Sequence, residues 1–453
     1  MTLNSTYTNE YLSIVSQLDG DVEGKRKART YMGNSTAIYH GVIVDSAFVP
    51  RLFDAETKAR FTYIAETTYS ILCKVMQEYI DNPDYRHVYD FDERLVDLVL
   101  LPRNYDALLP FARVDVFLNE DTLEGQFCEF NGDGSSGMNE NREITRSVEG
   151  TASYQEFGRR HKLETCTESL FGGWVREFLN IYSTYAYKVE HPHIAIVDFL
   201  ENAIVDEFGI FCGMFEEAGY HCTISDVRDL TFDGEHLIDQ NGEVIDAIWR
   251  RSVTNDIIEH WEESQPLIQA VRAEKVALIG SFAGHLVHDK QIFSVLFKPE
   301  TQAILTDEEN AFVRDFVPYT TFLDSECINL DDVKAERTKW IIKPTDGYGS
   351  ADVYAGKDFD DAAWGQLIDK FANGAAGAPF LIQTYCTLYK TLTLPLYGED
   401  ADYRDNPALA YSNMSGVYIY NGRFAGVFSR LGPNPIISKK TRGITAASIW
   451  VDC

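Results

Sequence analysis

The sequence predicts a mixed α/β protein of two or three domains, and three observations carry that expectation. Residues 111–133 read as an antiparallel hairpin, strands alternate with helices from about 193 to 280, and the last third returns to antiparallel strands. At 453 residues, with 45% hydrophobic and 13% aromatic side chains, the chain is long enough for well-buried cores and has the composition of a folded protein.

In the first third, Asp54–Asp81 has helical spacing at Phe61, Ile64, Tyr69, Leu72 and Met76, with Asp54 placed to cap it. Asp92–Leu100 reads as a shorter helix. The hairpin follows. In Phe111–Leu118, the residues Ala112, Val114, Val116 and Leu118 point one way, while Arg113 and Asp115 point the other. In Gln126–Asp133 the same period groups Glu129, Asn131 and Asp133. With the polar connection Asn119–Gly125 centred on Thr122, Asp115 falls opposite Glu129 and Arg113 opposite Asn131. Two carboxylates about 5 Å apart repel by roughly 3 kcal/mol at an effective dielectric near 20. A shared cation removes that cost, and oxygen ligands of the Asp, Glu and Asn type suit magnesium. The alternative is a solvated polar face on a half-exposed hairpin. After Gly134, GSSGMNENREI reads as a loop entering a helix, and helix N-termini hold anions well.

The middle of the chain changes character. HIAIVDFL (193–200) is an apolar strand followed by a helical stretch to about Tyr220. Strands at His221–Ser225, Ala247–Arg250 and VALIG (276–280), with a helix near Asp256–Arg272, argue for a parallel α/β sheet. Its first turn, DFLENA, lacks the glycine fingerprint of a dinucleotide site. In the last third, KWIIKP (339–344) leads through DGYGS into ADVYAG, and FLIQTYC (380–386) is another strand. SGVYIYNGRFAGVFSRLG (415–432) is a hairpin turning at Asn421–Gly422.

Charge and cysteine usage exclude several classes. The formal net charge is −30, which repels phosphate backbones and anionic membranes, so neither nucleic acid nor membrane is an expected partner. None of the eight cysteines forms a Cys-x-x-Cys pair, which argues against a structural zinc site or redox motif and fits a reducing compartment. The start, MTLNSTYTNEYLS, lacks a signal-peptide pattern, and no run is long enough to cross a bilayer, so a cytoplasmic protein is expected. No Gly-x-Ser-x-Gly, His-Glu-x-x-His or Cys–His arrangement suggests a covalent nucleophile or zinc chemistry.

Lysines in glycine-rich contexts stand out within so acidic a chain. KPTDGYGS (343–350) sets Lys343 at a strand end beside a turn with Gly347 and Gly349, whose amides can approach a phosphate closely. It is not a P-loop, because the lysine precedes the glycines and a strand follows. Lys290 lies near the start of a helix in HDKQIFSVLF, and Arg430 ends the strand of the last hairpin.

Taken together, Lys290 in HDKQIF, then WIIKPTDGYGS, FLIQTYC and GRFAGVFSR look like the nucleotide-binding portion of an ATP-grasp ligase. Here R-x-D and E-x-N, residues 113 to 131, come before these elements rather than after them. That order resembles the circularly permuted ATP-grasp group typified by glutathionylspermidine synthetase, over roughly residues 40 to 453. The resemblance implies a permuted ATP-grasp fold with an inserted Rossmann-like pre-ATP-grasp α/β domain. Residues 1–155 would hold N-terminal helices and the metal-binding half, 156–290 the inserted domain, and 291–453 the nucleotide-binding half. It further implies Asp115, Glu129 and Asn131 as ligands of magnesium, with Glu129 bridging two ions. Arg113 resembles the arginine at the reacting carboxyl or acyl phosphate; its alternative is a salt bridge to Asp115 or Asp133. Lys290 and Lys343 resemble the ATP-binding lysines, with Gly347, Gly349 and Gln383 beside them, and Arg430 the late arginine near the phosphates. Ser135 and Ser136 occupy the loop where the family holds its acid substrate, and GDGSSGMNE departs from the family pattern there. The implied activity joins a small-molecule or peptide carboxylate to an amine through an acyl phosphate, with ATP and magnesium. An ATP-grasp phosphotransferase and a non-catalytic nucleotide-binding protein are the alternatives.

Overall fold

The computed structural model describes residues 2–39, 41–201, 203–347, 352–386, 388–397, 407–434, 436–438 and 441–453. Asp54 accepts the Thr57 amide at 2.8 Å and opens the helix Ala55–Asp81, as its spacing predicts. Phe61, Ile64, Leu72 and Met76 on that helix pack with Val114, Val417 and Val427 against one face of an eight-stranded central sheet. From one edge its strands run Pro395–Leu396, Ser46–Ala47, Ile444–Ala446, Arg423–Gly432, Leu409–Tyr420, Phe111–Leu118 and Gly125–Asn131, with Lys390–Thr393 paired to the start of Leu409–Tyr420. Only the pairing of Ile444–Ala446 with Ser46–Ala47 is parallel among these. The last hairpin turns at Asn421 and Gly422, both at positive φ (42° and 87°), as a tight two-residue connection requires.

The 111–131 hairpin has the expected register at its polar end, with Asp115 opposite Glu129 and Arg113 opposite Asn131. It differs from a regular, half-exposed hairpin in three ways. Phe111–Leu118 is buried along its whole length, against the half-exposed alternative, because Leu409–Tyr420 pairs with its other edge. A bulge between Asp115 and Val116 leaves Cys128 unopposed, which turns Phe127 into the core although Glu129 two residues on faces the other way. The strand ends at Asn131, so Asp133 does not join Glu129 and Asn131; Gly132 packs on Gly284, where a Cβ would come within 2.6 Å of its carbonyl.

A second antiparallel sheet, in the order Thr320–Phe322, Phe380–Thr384, Trp340–Pro344 and Tyr354–Ala355, is backed by the helices Leu330–Ala335 and Asp361–Phe371 through Val333, Trp364 and Ile368. Its free face carries Lys343 opposite Leu381 and Ile341 opposite Gln383. The middle of the chain forms the expected parallel sheet, ordered Ala277–Ile279, Ala247–Arg250, Ile194–Asp198 and Cys222–Asp226. The single helix expected near Asp256–Arg272 is two, Thr254–Glu259 and Gln265–Arg272, the second opening with Pro266 in its first turn, where the missing amide has no intrahelical partner to lose. Leu163–Thr165 pairs with Ser448–Val451, so the parallel sheet is entered only at Ile194. Among the described residues, no helix is long and apolar enough to cross a membrane.

Candidate functional site

Six of the residues singled out in the sequence converge on the rung formed by Asp115 and Glu129. Asp115, fully buried, is held between two guanidinium groups. Arg113 donates to it twice, Nε to Oδ1 at 2.8 Å and Nη2 to Oδ2 at 3.2 Å, and Arg430 Nη2 reaches Oδ2 at 2.5 Å. Arg113 also donates through Nη1 to the Ser136 carbonyl at 2.6 Å, so three of its five N–H groups are engaged. Burial works against the Arg113 charge, but Asp115 beside it holds its pKa above the ordinary guanidinium value. Lys290 lies 3.5 Å from Glu129 Oε1 and donates to the Gly347 carbonyl at 2.6 Å. Lys343 reaches across from the second sheet to the Cys128 carbonyl, at 3.1 Å, which the bulge leaves unopposed. Burial opposes ionisation of Glu129, yet Lys290, His288, Lys343 and Arg113 together hold its pKa below the usual carboxylate value.

Neutralisation at this rung comes from the protein itself. The repulsion expected between Asp115 and Glu129 is offset by four cationic side chains, not left for a metal ion alone to remove. A carboxylate has about four lone-pair sites, and three N–H groups occupy those of Asp115. Glu129 keeps 27% of its side chain exposed, and the Asn131 amide nitrogen is buried without a partner among the described residues. The Glu129 carboxylate and the Asn131 amide oxygen are ligand types that suit a hard divalent cation, with Asp115 able to offer one further lone pair, whereas the unpartnered Asn131 nitrogen is a donor suited to an anionic oxygen. The cations fit a polyphosphate, and the buried Arg430 Nε, also without a partner among the described residues, is a donor not yet used.

The remaining candidates fall in different places. Gly347 is at φ +115°, its amide on Asp346 Oδ1 at 2.6 Å, whereas Gly349 lies outside the described residues. Gln383 shares the Lys343 face but ties its amide nitrogen to Thr320 Oγ1 at 2.8 Å. Ser135 turns its hydroxyl to the Asn131 carbonyl at 3.0 Å, and Ser136 enters the network through its carbonyl. The N-terminus of the helix Met138–Glu149, which the loop enters, already has an internal anion. Fully buried Glu207 accepts the Asn139 amide at 2.9 Å and pairs with Arg251 at 3.1 Å.

Several participants had not been singled out. Tyr418 donates to the Ser136 carbonyl at 2.7 Å and is registered against Arg113. Gly416, two residues before it, lies against Asp115 and Phe428. The alternation of Gly416, Tyr418, Phe428 and Arg430 along the last hairpin was the available signal. Asp133, which the strand period had grouped with Glu129 and Asn131, is instead buried away from them, pairing with Arg250 of the parallel sheet at 2.5 Å and accepting from Thr254 N and Oγ1 at 2.8 and 2.6 Å. That contact joins two distant segments and has no local signature.

Farther along the same face, a cavity of about 360 Å³ is lined by Lys357, Tyr385, Cys386, Lys390 and Ser412, among others. Ser412 and Gly416 share a face of one strand, about 14 Å apart at the usual rise.

Comparison with known proteins gives the fold. No family model matches the sequence, and no curated protein matches it. Among solved structures, the chain is similar to a glutathione synthetase-like effector (GSS30) from Globodera pallida in its apo form. The identity is 9% and the TM-score 0.63, over 94% of this chain and 96% of that one. The two share a fold. A putative gamma-glutamylcysteine synthetase from Methylobacillus flagellatus aligns at 11% identity over 81% of this chain and 82% of that one, with a TM-score of 0.36, too low to argue from.

Proposed function

We propose that this chain, whose fold is that of a glutathione synthetase-like protein, is an ATP-dependent carboxylate–amine ligase of the permuted ATP-grasp type. One observation carries the reading: in a chain of net charge −30, four cationic side chains meet two carboxylates where the second sheet meets the central one, a local positive surplus suited to polyphosphate. The nucleoside would lie in the cavity by Tyr385 and Cys386, and the ribose and triphosphate together would bridge the distance of about 14 Å along the strand to Arg430, Lys290 and Lys343.

In the proposed reaction the substrate carboxylate attacks the γ-phosphorus of ATP, forming an acyl phosphate and releasing ADP. The amine nitrogen then attacks the acyl carbon, an amide forms, and phosphate leaves with loss of a proton from nitrogen. Magnesium, held by Glu129, Asn131 and Asp115, would supply charge neutralisation on the phosphates. Arg113 keeps two N–H donors to orient the acid, and the arginines and lysines neutralise charge that builds on the transferring group. No covalent protein intermediate is needed.

The engagement of Asp115 by two arginines favours a second reading, a nucleotide-binding protein without transfer. One experiment separates them. ATP with magnesium, at about 100 times its dissociation constant, should stabilise the fold by roughly 2.7 kcal/mol under either reading. ADP release with a new amide, seen by mass spectrometry against pools of acids and amines, is expected only of the ligase. Stabilisation without ADP release from any pool would select the second reading.

A further inference from the structure

The parallel sheet presents two edges with different chemistry. Its carboxyl edge meets Asp133 through Arg250. The opposite edge, about 16 Å away along a five-residue strand, gathers three metal-ligating side chains. His193 precedes Ile194–Asp198, His221 precedes Cys222–Asp226, and Glu243 precedes Val244–Ile245. One ligand atom from each lies within 4.8 Å of the others.

We propose that His193, His221 and Glu243 form a site for a zinc-type divalent cation, separate from the rung at Asp115. His193 is buried, and its Nδ1 lies 2.9 Å from the Val244 carbonyl. A carbonyl only accepts, so the ring proton sits on Nδ1 and Nε2 keeps a lone pair, now facing the Thr223 hydroxyl at 2.9 Å. Fixing the tautomer of an imidazole by a backbone carbonyl is how ligating histidines are commonly oriented. The His221 ring stacks on that of His193 with centroids 4.5 Å apart, and its Nε2 lies 2.9 Å from Glu243 Oε2. A cation would take the place of the proton these two groups share. Glu243 is delivered by a preformed turn, in which Asp239 Oδ1 accepts the amides of Asn241 and Glu243 at 2.8 and 3.0 Å. Two imidazoles and one carboxylate suit zinc better than magnesium or calcium. With His221 and Glu243 half exposed, solvent water completes four-coordination. Such an ion pins the small sheet Thr231–Phe232, Leu237–Ile238 and Val244–Ile245 to the parallel sheet beneath it.

The test is zinc titration of the chelator-treated full chain by calorimetry, with cobalt as a spectroscopic substitute. One site is expected, weakened more than about 100-fold in His221→Ala and in Glu243→Ala, exposed positions where folding is not at stake. Bound cobalt should show the intense visible absorption of a four-coordinate ion, lost in the same variants. Absence of zinc binding, binding unchanged in both variants, or binding lost in Glu129→Gln instead would overturn the proposal.

Discussion

A Cβ on Gly416 would lie 2.8 Å from Arg113 Cδ and 3.0 Å from Asp115 Oδ1. The glycine is registered against Asp115 in mid-strand, so the pair closes over it only because no side chain intervenes. Gly416→Ala should therefore cost about 1–3 kcal/mol of stability by overpacking and weaken nucleotide binding; urea denaturation and calorimetry measure both. Asp289 gives a pH signature. Burial pushes its carboxyl from 3.8 up to about 8, against the pull of the Gln291 amide. Between those values the folded chain keeps a proton that the unfolded chain releases, so stability falls as pH rises through the window. Asp289→Asn retains an acceptor for Gln291 and removes the titration, so the variant should gain on the parent as pH rises; a difference independent of pH, from denaturation at several pH values, would exclude this. At this scale the sequence showed which residue types could meet, through the period of two that groups Arg113 with Asp115. It offered the salt bridge of Arg113 to Asp115 as an alternative, but not that Arg430 would join it, since that depends on strand pairing and side-chain rotamers chosen in three dimensions.

The hairpin shows what pattern reasoning reaches at the level of an element. The rungs Asp115–Glu129 and Arg113–Asn131 were legible because polar residues alternate with apolar ones. The bulge was not, since Gln126–Asn131 reads equally well as a regular strand. Cys128 is the residue it leaves unopposed, and its carbonyl receives Lys343. Deleting Cys128 should leave a regular ladder with Phe127 still inward and Glu129 still on the other face. The fold, followed by circular dichroism and thermal unfolding, should survive, while nucleotide affinity falls because Lys343 loses its acceptor; unchanged affinity would make the bulge incidental. Helices were legible where a cap and an apolar stripe coincide, as at Asp54. Val22–Gly33 (VEGKRKARTYMG) was passed over because few apolar residues mark its face, although Ala28 and Met32 are buried.

At the scale of the molecule, one buried ion pair, Arg250 with Asp133, docks the parallel sheet on the loop that follows the hairpin, and Glu207, paired with Arg251 inside the middle segment, adds the Asn139 amide. Removing one partner of such a pair leaves a charge buried without compensation, at a typical cost of 3–5 kcal/mol. Arg250→Ala should destabilise by about that amount and let the middle of the chain melt ahead of the central sheet. Calorimetric scanning would resolve two transitions where the parent has one; a single transition at lower temperature would show that the sheets remain one cooperative unit. The mixed α/β class was legible from the change of pattern along the chain. The central sheet was harder to foresee, since it collects strands from residues 46–47, 111–131 and 390–446, whose pairing no local window reports.

The clasp on Asp115 has a thermodynamic corollary under the proposed reading. Phosphate oxygens that draw Arg430 away would release an Asp115 lone pair to a divalent ion, and an ion at Glu129 would in turn loosen Lys290 toward phosphate. Each ligand then lowers the other's barrier to entry. The two affinities must rise by one common factor, so magnesium and nucleotide would bind as partners in a single linked equilibrium.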